Sequence, residues 1–161
     1  MKIKARNSQI LISICAVILL LLIDQLVKSF ITINMDLHQQ LTVIKDFFWI
    51  RLVHNPGAAF SILEGEITFF IIATIIALVV FSFMFLTTKD NINQIGLTMM
   101  IGGTLGNAID RLRLGYVIDY LDFNLFGYPF PVFNFADIML TLGVVVLCFG
   151  MIREYMVEKD G

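Results

Sequence analysis

Charge is scarce in this chain. Of its 161 residues only 15% are Asp, Glu, Lys or Arg, while 58% are hydrophobic. A soluble domain carries about 25% charge and 45–50% apolar residues. Mean hydropathy is +0.88, and the apolar residues come in blocks, so lipid is the solvent for much of the chain. Net charge is −2 and the basic residues are dispersed, which leaves nothing for a nucleic-acid partner. Cysteine is nearly absent: Cys15 and Cys148 lie inside apolar runs, away from any His or Cys at ligand spacing. They read as small core residues, not as a disulfide or a metal site. His38 and His54 have no partner at zinc spacing, so HExxH-type metal chemistry is excluded. No Ser-His or Cys-His arrangement is legible, and no cofactor is called for.

What is present is long hydrophobic runs. A spanning helix needs about 20 apolar residues. Four stretches are predicted to cross: 10–33, 67–86, a shorter Gly-rich 95–112, and 131–152. Lys2, Lys4 and Arg6 precede the first, as in a signal peptide, but "DQLVKSF" follows it with no A-x-A-like site, so the segment is expected to be retained. The basic tail keeps the N-terminus in the cytoplasm. Four crossings then return the C-terminus, with Arg153 and Lys159, to the same side. The expected fold is a single domain over 1–161, an all-α membrane protein of four transmembrane helices with a small β-structure outside. Leu41–Asn55, rich in β-branched and aromatic residues, supplies short outer strands, with Trp49 near the headgroups. "NPGAAF" makes a turn, where small Ala58 and Ala59 leave room for an approach to the backbone. The cytoplasmic "TTKDNINQ" is a polar connector without evident chemistry.

That topology brings the polar intrusions to one depth. Asp24 and Lys28, four residues apart, share the outer half of the first helix and can pair. Asn107, Asp110 and Arg111 lie at the outer end of the third. Gly102, Gly106 and Asp110 form one row of that helix, and Gly103, Asn107 and Arg111 the next, so small residues allow close packing while the polar ends point inward. Asn134 and Asp137 open the fourth, with Asp137 roughly 9 Å below Pro131 at 1.5 Å per residue. Asn55 and Asp119 are expected in outer loops.

A carboxylate at mid-bilayer costs about 2.5–3.5 kcal/mol on insertion scales. Asp137 becomes tolerable if Asp119 meets it, and Gly127, Pro129 and Pro131 let the chain fold back to that end. Two carboxylates in one wet pocket hold a proton between them. One can activate water while the other polarises a peptide carbonyl. A small ion-coupled transporter is the alternative use of such groups, but it needs polar residues through both leaflets. A structural subunit would explain the glycine seam and not the acids.

Five ordered blocks carry a resemblance: "DQLVK" (Asp24–Lys28), "NPGAAF" (Asn55–Phe60), "GGTLGNAIDR" (Gly102–Arg111), "VIDY" (Val117–Tyr120) and "FNFAD" (Phe133–Asp137). Over nearly its whole length the sequence resembles the lipoprotein signal peptidase (signal peptidase II) family of bacterial membrane aspartic peptidases. The resemblance implies catalytic aspartates at Asp119 and Asp137. It places site-lining residues at Asp24, Lys28, Asn55, Gly57, Asn107, Asp110, Arg111 and Asn134. It also implies a β-cradle over Leu37–Asn55, a bacterial cell-membrane location and an active site toward the outer leaflet. The implied substrates are prolipoproteins, cut just before a diacylglyceryl-modified Cys, with membrane lipid as the other partner and no metal. Ile118, Tyr120 and Ser61 depart conservatively from the family's usual residues.

Overall fold

The computed structural model describes residues 2–57 and 67–160. Four helices and four strands follow one another in the order α1 (Lys2–Asn34), β1 (Gln40–Ile44), β2 (Phe48–Asn55), α2 (Ile67–Thr87), α3 (Asn91–Leu114), β3 (Val117–Leu125), β4 (Tyr128–Pro129) and α4 (Phe135–Asp160). The expected turn residues Ala58 and Ala59 lie outside the described residues, as do Phe60 and Ser61.

Helix α3 is the hub, packed against α1, α2 and α4. Its glycines explain how. A Cβ at Gly96 would stand 2.8 Å from the Gly143 carbonyl oxygen of α4, and one at Gly103 would collide with the Ala136 carbonyl. On the adjacent row, Gly102 faces Leu20 of α1, and a Cβ at Gly106 would stand 2.8 Å from Asp24 Oδ2. Gly96 and Gly103 therefore face α4 and Gly102 faces α1, while Gly106 lies between them, its Cβ position also 3.1 Å from Ala136 Cβ. Asp90 starts α3 as its N-cap, accepting from Ile92 and Asn93 N–H, and Gly115 ends it in the left-handed region at φ 81°.

Among the described residues, three helices can cross a membrane by length and composition: Arg6–Asn34, Ile67–Thr87 and Phe135–Lys159. The third expected span, 95–112, is helical but falls outside this group, because α3 carries Asn93, Asn107, Asp110, Arg111 and Arg113. The fourth expected stretch begins too early: Pro131–Asn134 is not helical, and α4 starts at Phe135. Asp137 therefore sits in the first turn, not 9 Å below the start. Cys15 and Cys148 are exposed on the outer faces of α1 and α4, not in the core. Apolar residues of a lipid-facing surface look the same in sequence as buried ones.

The strands make one antiparallel sheet in the order β1-β2-β3-β4. Its β1 and β2 lie where the outer strands are predicted. The other two strands replace a predicted loop, and so Asn55 and Asp119 are strand residues: Val53 pairs with Asp119 and Asn55 with Val117. Two apolar clusters bracket the polar layer. Ile31, Met35, Leu52, Ile118 and Tyr120 join α1 to the sheet. Phe85, Leu97, Met100 and Leu147 fill the other end of the bundle. The "TTKDNINQ" connector has a structural use, since Asp90 also pairs with Arg153 and Asn93 donates to Glu154.

Candidate active site

Asp119 enters from β3 and Asp137 from the first turn of α4, and Asn134 binds both. Its Nδ2 donates to Asp119 Oδ1 at 2.7 Å, and its backbone N–H donates to Asp137 Oδ2 at 3.1 Å. Asn134 is the N-cap of α4: its Oδ1 accepts from the Asp137 N–H at 3.0 Å, which completes a reciprocal capping box. The cap that starts the helix thus also ties the two carboxylates together. Asn55 Nδ2 donates to Asp119 Oδ2 at 2.8 Å, and Asn107 Nδ2 to Asp137 Oδ1 at 2.7 Å. Each of the four carboxylate oxygens has one donor and keeps room for a second partner.

Behind them lies a buried ionic layer. Lys28 is 1% exposed and contacts Asp24 Oδ2 at 2.9 Å, Asp110 Oδ2 at 2.8 Å and Asn107 Oδ1 at 3.1 Å. An ammonium on Asn107 Oδ1 fixes which way that amide points, so its NH2 group must face Asp137. Asp24 Oδ1 accepts from the Ala136 N–H, and Asp110 Oδ2 from the Ile118 N–H. The charges therefore hold the backbone one residue before each of the two carboxylates.

Burial first, then the neighbouring Asp137 carboxylate, pushes the Asp119 carboxyl up to about 7, against hydrogen bonds from Asn55 and Asn134. The site opens onto a cavity of about 650 Å³. Asn55, Gly57, Asn107, Arg111, Asp119 and Asp137 form its polar end, and Ile138, Thr141 and Leu142 continue it along α4. Arg111 reaches the Gly57 carbonyl at 3.4 Å and lies over the Phe70 ring, 4.9 Å from its centroid. Gly57 N–H donates to Asn55 Oδ1 at 3.0 Å, which closes the turn beside the strand. All ten sequence-nominated residues are thus in one connected assembly, with Asp24, Lys28, Asp110 and Asn134 behind the cavity wall rather than on it.

Two contributors escape the sequence reading. Gln25 Nε2 donates to Asp110 Oδ1 at 2.9 Å and lies 3.2 Å from Asp24 Oδ2, bridging two acids. Tyr120 accepts the Phe135 N–H at its hydroxyl, 3.2 Å away, and burial pushes that hydroxyl up to about 12, so it stays protonated. Tyr120 thereby serves the one first-turn N–H of α4 that Asn134 and Asp24 do not. The signal was the Tyr at a position where the resembled family usually has Phe.

Comparison with known proteins shows the family. A sequence profile of the family described as signal peptidase (SPase) II matches residues 16–153. The chain belongs to the signal peptidase II family. Within it, the chain is 40% identical over 141 residues to a lipoprotein signal peptidase of Lactiplantibacillus plantarum, covering 87% of this chain and 93% of that protein. It is 37% identical over 150 residues to one from Staphylococcus aureus, covering 92% of each. Two solved structures, both described as bacterial membrane enzymes, share the fold. One superposes with TM-score 0.85 at 36% identity over 92% of both chains. The other does so with TM-score 0.79 at 38% identity, over 86% of this chain and 91% of that one. Membership of this family makes the chain a peptidase of the bacterial membrane.

Proposed function

We propose that this chain removes signal peptides from prolipoproteins, cutting before the diacylglyceryl-modified Cys, with Asp119 and Asp137 as an aspartic catalytic pair. The name its relatives carry, lipoprotein signal peptidase, supports the substrate class. The observation that carries the pair is Asn134, a single residue hydrogen-bonded to both carboxylates at the mouth of the cavity. In this reading the ionised carboxylate takes a proton from water, whose oxygen attacks the scissile carbonyl carbon. The protonated partner donates to the carbonyl oxygen; the C–N bond then breaks and the amine leaves with a proton from the pair. The proton belongs to the pair, and the raised Asp119 carboxyl is consistent with its retention near neutrality.

The supporting residues divide by position. Asn107 and Asn134 aim the carboxylates, while Asp24, Lys28 and Asp110 hold the amides and backbone that do so. Asn55, Gly57 and Arg111 line the cavity, where a substrate backbone or a lipid's glycerol region would lie. All four helices cross the membrane in this proposal: α3, with 24 residues, is roughly 36 Å long, and its polar face turns toward its neighbours. Both termini are cytoplasmic, and the pair faces the outer leaflet within a single domain of residues 1–161. An ion-coupled path would have to continue below the pair, where Phe85, Leu97, Met100 and Leu147 close the bundle with apolar packing.

The test is cleavage of a purified precursor, with and without the diacylglyceryl group, by the reconstituted protein in the presence and absence of a chelator. The proposal expects one cut, immediately before the lipidated Cys, insensitive to the chelator and severely slowed without the lipid. Acyl chains anchored in the leaflet fix the depth of the scissile bond. Equal turnover of the unlipidated peptide, or inhibition that added zinc reverses, would overturn it.

A further inference from the structure

The turn of the β3–β4 hairpin is built against its own backbone preference. Leu125 pairs with Tyr128, so Phe126 and Gly127 form a two-residue turn, with φ of 55° and 88°. Two positive values make this a type I′ geometry, which favours Asn or Asp before Gly, because a bulky L side chain is strained there. A phenylalanine in that place needs a compensating contact, and the fold supplies none: Phe126 is fully exposed. Its neighbours Leu125, Tyr128 and Phe130 are exposed as well.

The surroundings say what compensates. From Phe123 to Ala136 there is no charged residue, although a hairpin facing water would normally carry several. This run leads directly into α4, one of the three helices apolar enough to cross a membrane. Its Phe130 and Pro131 also form part of the cavity wall. Strand β4 is only two residues long and ends in Pro129, so its edge offers no ladder on which another strand could add. Tyr is favoured where headgroups meet acyl chains, and Phe and Leu are side chains that interfacial segments bury there.

We infer that the β3–β4 hairpin is a membrane-surface anchor, with Phe126, Leu125 and Tyr128 inserted into the leaflet that α4 enters. The strained turn presents the phenyl ring outward, and the lipid supplies the contact that the fold lacks. Because the hairpin's stem walls the cavity, its anchoring sets the depth of the cavity mouth relative to the acyl chains.

The test places a fluorophore at the tip, and its readout is independent of peptidase activity. Trp49 is the only tryptophan, so Trp49→Phe combined with Phe126→Trp gives a single reporter. In vesicles whose lipids are brominated high on their acyl chains, its emission should be blue-shifted, strongly quenched by the bromine and protected from aqueous iodide. Red-shifted emission quenched by iodide would overturn the inference by placing the tip in water. Blue emission indifferent to bromine and dependent on protein density would overturn it in favour of contact between copies. Should Phe126→Trp fail to fold, Tyr128→Trp in the same background reports on the same hairpin with the same outcomes.

Discussion

The residue that links the candidate pair is Asn134: replacing its side chain would take one donor from Asp119 and uncap α4, while its backbone N–H to Asp137 would stay. Its partner Asp119 makes a pH prediction. Held at about 7 against an ordinary 3.8, the Asp119 carboxyl binds its proton more tightly in the folded state than in the unfolded one. Its contribution to stability is therefore full below the ordinary value and is lost as pH rises through the folded one. Asp119→Asn cannot ionise, so its unfolding temperature should gain on the parent's between about pH 4 and about pH 7 and level off above that. A gap that stays constant across that range would contradict the raised carboxyl. The parent's cleavage rate should also fall on the alkaline side near the same pH, as the pair loses its proton.

At the scale of the element, α4's first turn and α3's glycine rows carry the argument. Tyr120→Phe removes the acceptor for the Phe135 N–H and strands a part-buried donor, at a cost of about 1 kcal/mol. Thermal unfolding should drop accordingly, and the cleavage rate should drop too, because the same turn carries Asp137. A loss of stability with unchanged turnover in the folded fraction would reduce Tyr120 to a packing residue. Among the glycines, Gly103→Ala should destabilise far more than Gly102→Ala. The first meets α4 backbone at Ala136, whereas the second meets the side chain of Leu20, which can move. Comparable losses by thermal unfolding would contradict these two assignments. These elements were unequally legible in the sequence. Asp24, Lys28, Asn107 and Asp137 stand out because polar residues are rare in apolar runs, and the four-residue spacing of Asp24 and Lys28 shows the face those two share. Strand β3 was hidden because buried Asp119 and Asp122 break the apolar–polar alternation expected of a strand. The start of α4 was hidden because Pro131–Asn134 is as apolar as the helix it precedes. Tyr120 was hidden because a capping hydroxyl has no sequence period.

Only the whole molecule assembles the pair: the sheet supplies Asp119, the fourth helix Asp137, and the first and third helices the Lys28–Asp24–Asp110 layer that fixes the amides between them. That shared support is why the two acids should act as one unit rather than as separate contributors. The most direct measurement is the cleavage rate of the lipidated precursor in vesicles by the parent, Asp119→Asn, Asp137→Asn and the double variant, each checked for folding by thermal unfolding. Groups that act together are grossly non-additive, so each single change should cost about as much as both. The account predicts loss of cleavage in either single variant with the protein still inserted and folded, and no further loss in the double. Near-parental turnover by a folded Asp119→Asn or Asp137→Asn protein would contradict it.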